Sequence, residues 1–300
     1  MTRPGIARRI TLAVATLLAV ATATACGADS SGPQATDHPV VVASTDVWAS
    51  VASAVGGDRA EVIALYKSPD GDPHEYEPSS ADTARVHDAN LIVMNGEHYD
   101  AFMETAAEGA EGAKVVAYDA RSDQDRGNEH VFYDLAAVAD TANQIADKLA
   151  DIAPVNADYY RGRASDFVGQ IGTLRAALDA IKQSHGGTEI AATEPLAATM
   201  ITDAGLVDAA PAGFQEAVEQ GQSPSAADLA KFNDLLSQHR VKALIYNTQA
   251  VDSSTQAVLD TARASKIAIV EFTESLPAGV TDYITWQRAQ IDALAKALNS

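Results

Sequence analysis

The chain has a single cysteine in 300 residues, so no intrachain disulfide is available to staple it. It is also short of basic residues. Lys and Arg number 21 against 41 Asp and Glu, a formal charge of −20. That balance argues against a nucleic-acid partner, which needs clustered Lys and Arg. It suits a surface that attracts cations. Beyond residue 26 no apolar run is long enough to span a bilayer core, which takes roughly 20 residues. There is no Gly-Lys phosphate loop, no Gly-x-Ser-x-Gly elbow and no cysteine nucleophile. His74-Glu75-Tyr76-Glu77-Pro78 opens like a zinc-protease helix, but it lacks the second His and sits between prolines. These absences point away from an enzyme.

What is present starts with an export signal. Arg3, Arg8 and Arg9 precede an apolar run from Ile10 to Thr22, and Ala23-Thr24-Ala25 brings small residues up to Cys26. Charge, a short apolar segment and small residues in that order read as a secretory signal. A lone cysteine at the cleavage position predicts lipidation of Cys26. The expected organisation is therefore a lipoprotein signal peptide over 1–26 and a flexible tether over 27–37, rich in small and polar residues. The protein is expected to be exported and anchored through this lipid to the outer face of the cytoplasmic membrane, since bacterial lipoprotein cysteines carry more than one acyl chain.

The rest alternates short β-branched runs with longer helical patterns. Strands are predicted over 40–43, 62–65, 91–94 and 114–117, then over 189–192, 243–246 and 267–270. Helices are predicted between them, which argues for parallel sheets covered on both faces. The middle breaks this rhythm. A helix over 133–151 stops near Pro154, and 156–184 then runs without proline. Its apolar residues Tyr159, Tyr160, Phe167, Ile171, Leu174, Leu178 and Ile181 recur in steps of mostly three and four. Such a helix would reach about 40 Å. The predicted fold class is α/β: two parallel-sheet α/β lobes, 38–153 and 187–300, joined by one long backbone helix over 154–186.

Sites in open α/β sheets lie beyond the carboxyl ends of the strands. His74 follows the second strand in a loop stiffened by Pro73 and Pro78, and His130 follows the fourth. In the second lobe Glu194 follows the first strand and Glu274 the last. Each lobe thus offers two candidate ligands to a cleft between them. Taken singly, each has a plainer reading. A loop His is usually solvated, and Glu194 or Glu274 can serve a helix N-terminus. Their shared placement at strand ends favours a metal site. His98 and Glu271 are secondary candidates.

Several segments resemble the metal-specific class of ABC-transporter solute-binding proteins, the zinc and manganese receptors. They are Val55-Gly56-Gly57-Asp58, Asp72-Pro73-His74-Glu75-Tyr76-Glu77-Pro78, Asp88-Ala89-Asn90-Leu91-Ile92-Val93-Met94-Asn95-Gly96, Glu129-His130-Val131-Phe132-Tyr133-Asp134 and Phe272-Thr273-Glu274-Ser275-Leu276. The resemblance covers most of 39–299. It implies two lobes joined by a long helix and a metal held by His74 and His130. The third ligand in that class is His in typical zinc receptors and Glu in many manganese receptors, which corresponds to Glu194. The fourth is usually Asp, replaced by Glu274. The class further implies Zn²⁺ or Mn²⁺ as the transported ligand, an ABC importer permease as partner, and a monomer. Zinc is favoured on intrinsic affinity, with manganese close behind. The alternatives are a zinc-dependent enzyme or a surface adhesin on the same scaffold. An enzyme would keep a coordination position open for water.

Overall fold

The computed structural model describes residues 36–121 and 127–300. The signal peptide, Cys26 and most of the tether lie outside the described residues.

The first lobe is built on four parallel strands, β1 (Val40–Thr45), β2 (Glu61–Tyr66), β3 (Leu91–Met94) and β4 (Ala113–Val116), in the order β2-β1-β3-β4. Val42 stands in register with Ile63 on one side and Ile92 on the other. All four side chains of β3 are buried, as expected of a strand covered on both faces. The crossovers are α1 (Asp46–Gly56), α2 (Ser80–Asp88) and α3 (Ala101–Ala106). The second lobe repeats the plan with β5 (Glu189–Ala192), β6 (Val207–Asp208), β7 (Ala243–Asn247) and β8 (Ala268–Phe272), in the order β6-β5-β7-β8. The order reverses beside β1 in one sheet and β5 in the other. Each reversal opens a crevice at the carboxyl edge, where ligands bind in such folds.

Between the sheets lie α4 (Leu135–Ile152) and α5 (Ala157–His185), and α10 (Tyr283–Leu298) closes the chain. The 29 residues of α5 make it about 43 Å long at 1.5 Å per residue. It buries Tyr160, Ala164, Phe167, Ile171, Leu174, Leu178 and Ile181, a single stripe. Gly162, Gly169 and Gly172 do not interrupt it, and a Cβ at any of them would meet nothing within 4 Å. They face outward and serve no close approach.

One hydrophobic core runs through both lobes, from Val41 and Val93 of the first sheet through α4 and α5 to Ile190, Ile245 and Phe272 of the second. Smaller clusters cover each sheet's outer face. Aromatic side chains concentrate at the junction. Tyr133 stacks on Phe272 with centroids 5.6 Å apart, and Trp286 lies 5.6 Å from Tyr133 and 5.8 Å from Tyr283. No helix among the described residues is long and apolar enough to cross a membrane.

Two elements departed from the expected pattern. The second sheet has a fourth strand, β6, followed by α7 (Ala212–Glu219). Beyond these, α6 (Ala198–Asp203), α8 (Ala226–Ser237) and α9 (Ser253–Ala264) complete the helices of the second lobe.

Candidate metal centre

His74, His130, Glu194 and Glu274 converge between the two sheets. Glu274 is the hub. Its Oε2 lies 3.5 Å from His74 Nε2 and 3.6 Å from His130 Nε2. That oxygen is buried and has no hydrogen-bond partner. A buried carboxylate oxygen left bare between two imidazole nitrogens is costly unless a proton or a cation joins them.

Each donor is held by its own support. Asp72 Oδ1 accepts the backbone N–H of His74 at 2.8 Å, and Pro73 opens the short 3-10 turn that carries the imidazole. His74 sits on the rim, with its side chain 30% exposed. His130 is fully enclosed. The Asn128 amide donates to Pro195 O at 2.8 Å, so its Oδ1 must be the atom facing His130. That oxygen accepts the His130 backbone N–H at 2.9 Å and lies 3.1 Å from Nδ1. Nδ1 therefore carries the hydrogen in the neutral ring, and Nε2 turns its lone pair into the site. After His130 the chain plunges into the core through Phe132 and Tyr133, whose hydroxyl donates to Thr273 O at 2.8 Å. Asp134 then caps α4. From the other side, the Asn95 amide holds the Glu129 carbonyl at 2.8 Å.

The second lobe uses amides as well. Asn247, at the end of β7, donates one N–H to Glu194 Oε1 and the other to Glu274 Oε1, the latter at 2.7 Å. Gln249 Oε1 accepts the backbone N–H of Ser275 at 3.1 Å, and its Nε2 reaches Pro69 O of the His74 loop at 2.9 Å. Glu194 makes no side-chain cap bond to the turn that follows it, and Asp282 caps α10, so neither glutamate serves a helix end.

Charge is arranged to be shared. Burial works against the imidazolium of His130, yet the carboxylates of Glu219, Glu274 and Glu194 outweigh it and push the ring up to about 9. Burial raises Glu274, but the two imidazoles hold it below the usual carboxylate range. Glu194 is pushed well up, by burial first and then by Glu274 and Glu219. The cluster as it stands thus retains protons that an arriving cation would displace.

The secondary candidates stand apart. His98 is exposed, its side chain at 86%, and lies 3.7 Å from Glu104. Glu271 is exposed on β8. One further acid does enter. Glu219, the last residue of α7, places Oε1 3.7 Å from His130 Nε2. One ligand atom each from His74, His130 and Glu219 lie within 4.8 Å of one another. Nothing in the local sequence marks Glu219, because the two residues of β6 that lead into α7 carry no period. His74, Glu194, Glu219 and Glu274 line a cavity of about 270 Å³ together with Asp72, Glu75 and Gly221. A larger hollow of about 770 Å³ lies at the opposite edge of the second sheet, among Arg240, Lys242 and Lys266. Its cations make it unfit for a metal ion.

Fold and cluster together define a class: a two-lobed α/β protein that gathers imidazoles from one sheet and carboxylates from the other. The family profile described as "ZnuA: Zinc-uptake complex component A periplasmic" matches residues 41–297, and the chain belongs to this family. It is 25% identical over 268 residues to the "Manganese-binding lipoprotein MntA" of Bacillus subtilis (strain 168), covering 84% of this chain and 85% of that one. It is 23% identical over 266 residues to the "High-affinity zinc uptake system protein ZnuA" of the same organism, covering 80% and 82%. The solved periplasmic zinc binding protein TroA from Treponema pallidum shares the fold, with a TM-score of 0.73 at 18% identity over 87% of this chain and 99% of that one.

Proposed function

We propose that the chain is an extracytoplasmic solute-binding receptor of an ABC importer. It captures one divalent transition metal, zinc or manganese, between its lobes and delivers it to the permease. The ligands are His74, His130, Glu194 and Glu274. The observation that carries this reading is the bare Oε2 of Glu274, equidistant within 0.1 Å from two imidazole nitrogens at 3.5 and 3.6 Å. Two nitrogens and two carboxylates suit zinc as four donors, and suit manganese if the carboxylates bind through both oxygens. The matched relatives carry the names of uptake and metal-binding proteins, which favours a receptor over an enzyme.

The same reading takes 1–26 as a lipoprotein signal peptide, Cys26 as the lipidated residue and 27–37 as the tether. Residues 38–153 and 187–300 form the lobes and 154–186 the linking helix, in a monomer held at the outer face of the cytoplasmic membrane. Metal analysis of the purified exported chain tests the core of it. One equivalent of Zn²⁺ or Mn²⁺ per chain is expected, and the double substitution His74→Ala with Glu194→Ala should abolish binding. Unchanged metal content in that variant sinks the ligand assignment.

A further inference from the structure

Glu219 stands where its own helix disfavours it. It is the last residue of α7, where the helix dipole presents negative charge, so a carboxylate there gains nothing from the helix. Its carboxyl group is mostly enclosed, with the side chain 19% exposed. Glu129, Glu194 and Glu274 crowd it further. Among the described residues its only ion-pair partner is His130, at 3.7 Å.

Resting on the metal-capture reading above, we infer that Glu219 is a fifth protein donor to the bound cation and that it tilts the cleft from zinc toward manganese. The two imidazoles, Glu274 and Glu194 already complete a tetrahedral zinc shell. A fifth residue is surplus to that shell. Manganese prefers oxygen donors and higher coordination, and Glu219 brings one or two oxygens more. Its position supports this. One ligand atom each from His74, His130 and Glu219 lie within 4.8 Å of one another, so a single ion can be reached by all three. All four strands of the second sheet then supply the site: Glu194 after β5, Glu219 after β6 and α7, Asn247 at the end of β7 and Glu274 after β8.

The test compares the purified exported chain with Glu219→Gln and Glu219→Asp, each stripped of metal and titrated with Mn²⁺ and Zn²⁺ against a chromophoric chelator. Glu219→Gln should weaken manganese binding by about 10-fold or more and zinc binding by less than about threefold. Glu219→Asp, one methylene shorter, should fall between. The electron paramagnetic resonance spectrum of bound Mn²⁺ should change in Glu219→Gln, which a purely structural role for Glu219 would not require. The inference is overturned if the Mn/Zn affinity ratio stays within about twofold of the parent, or if zinc suffers more than manganese. Those outcomes leave the receptor reading intact, because the parent still binds metal. A parent chain that binds neither metal overturns both.

Discussion

The two lobes share a plan but bring opposite chemistry to the cleft. The first presents nitrogen. His74 and His130 come from loops pinned by a capping aspartate, two prolines and the Asn95 and Asn128 amides. Each imidazole has its own support. The second lobe presents oxygen, and its two buried glutamates lean on one side chain, Asn247. The contrast has a physical basis. An imidazole is neutral when it coordinates, so it needs only orientation. Two adjacent buried carboxylates repel and lose hydration, so they need shared donors until a cation arrives. On the proposed ligand set neither lobe would hold a metal alone, and the continuous core fixes the distance between the halves.

The largest effect should come from loosening that core. Trp286 touches Phe132, Tyr133 and Tyr283, and its indole donates to Thr273 Oγ1 at 2.9 Å beside Glu274. Trp286→Ala should cost about 3–5 kcal/mol in a urea unfolding titration. If the loss stays below about 1 kcal/mol, the lobes do not depend on this junction.

The asymmetry of support is the next target. Asn247→Ala removes donors from two of the proposed ligands, whereas Asn128→Ala removes an acceptor from one. Metal affinity should fall by about 100-fold in the first and about 10-fold in the second, the range typical of groups that orient metal ligands. Equal losses in a competition titration would erase the distinction between the lobes.

A third effect concerns an acid that bridges the lobes. Asp46 opens α1, and its Oδ2 accepts the backbone N–H of Leu276 at 3.2 Å while Oδ1 has no partner. Burial pushes Asp46 up to about 7, from about 3.9 in an unfolded chain. A folded-state pKa raised in this way gives stability that is full below about pH 4 and lost as pH rises toward 7. Asp46→Asn should therefore unfold at a higher temperature than the parent at pH 8 and show little difference at pH 4. A constant difference across this range would mean that Asp46 ionises freely in the folded protein.

Much of the architecture was legible because it is local. Leu91–Met94 and Glu189–Ala192 are predicted with the bounds observed, since continuous apolar runs are written within a few residues. The long helix was legible from its periodicity, despite three glycines. Strand β6 was not, because two residues carry no period, and with it went α7 and Glu219. The amide supports Asn128, Asn247 and Gln249 escaped too. An asparagine that orients a ligand looks no different in sequence from one in a turn.

By itself the sequence determined the βα alternation, the two-lobed plan and the placement of His74, His130, Glu194 and Glu274 at strand ends, all consequences of short-range pattern. Only the tertiary structure decided that Glu274 stands between the two imidazoles, that one asparagine serves both glutamates, and that Glu219 joins them. Those groups lie far apart along the chain. Their distances of a few ångströms are set by how the sheets pack against one shared core, and no local periodicity carries that information.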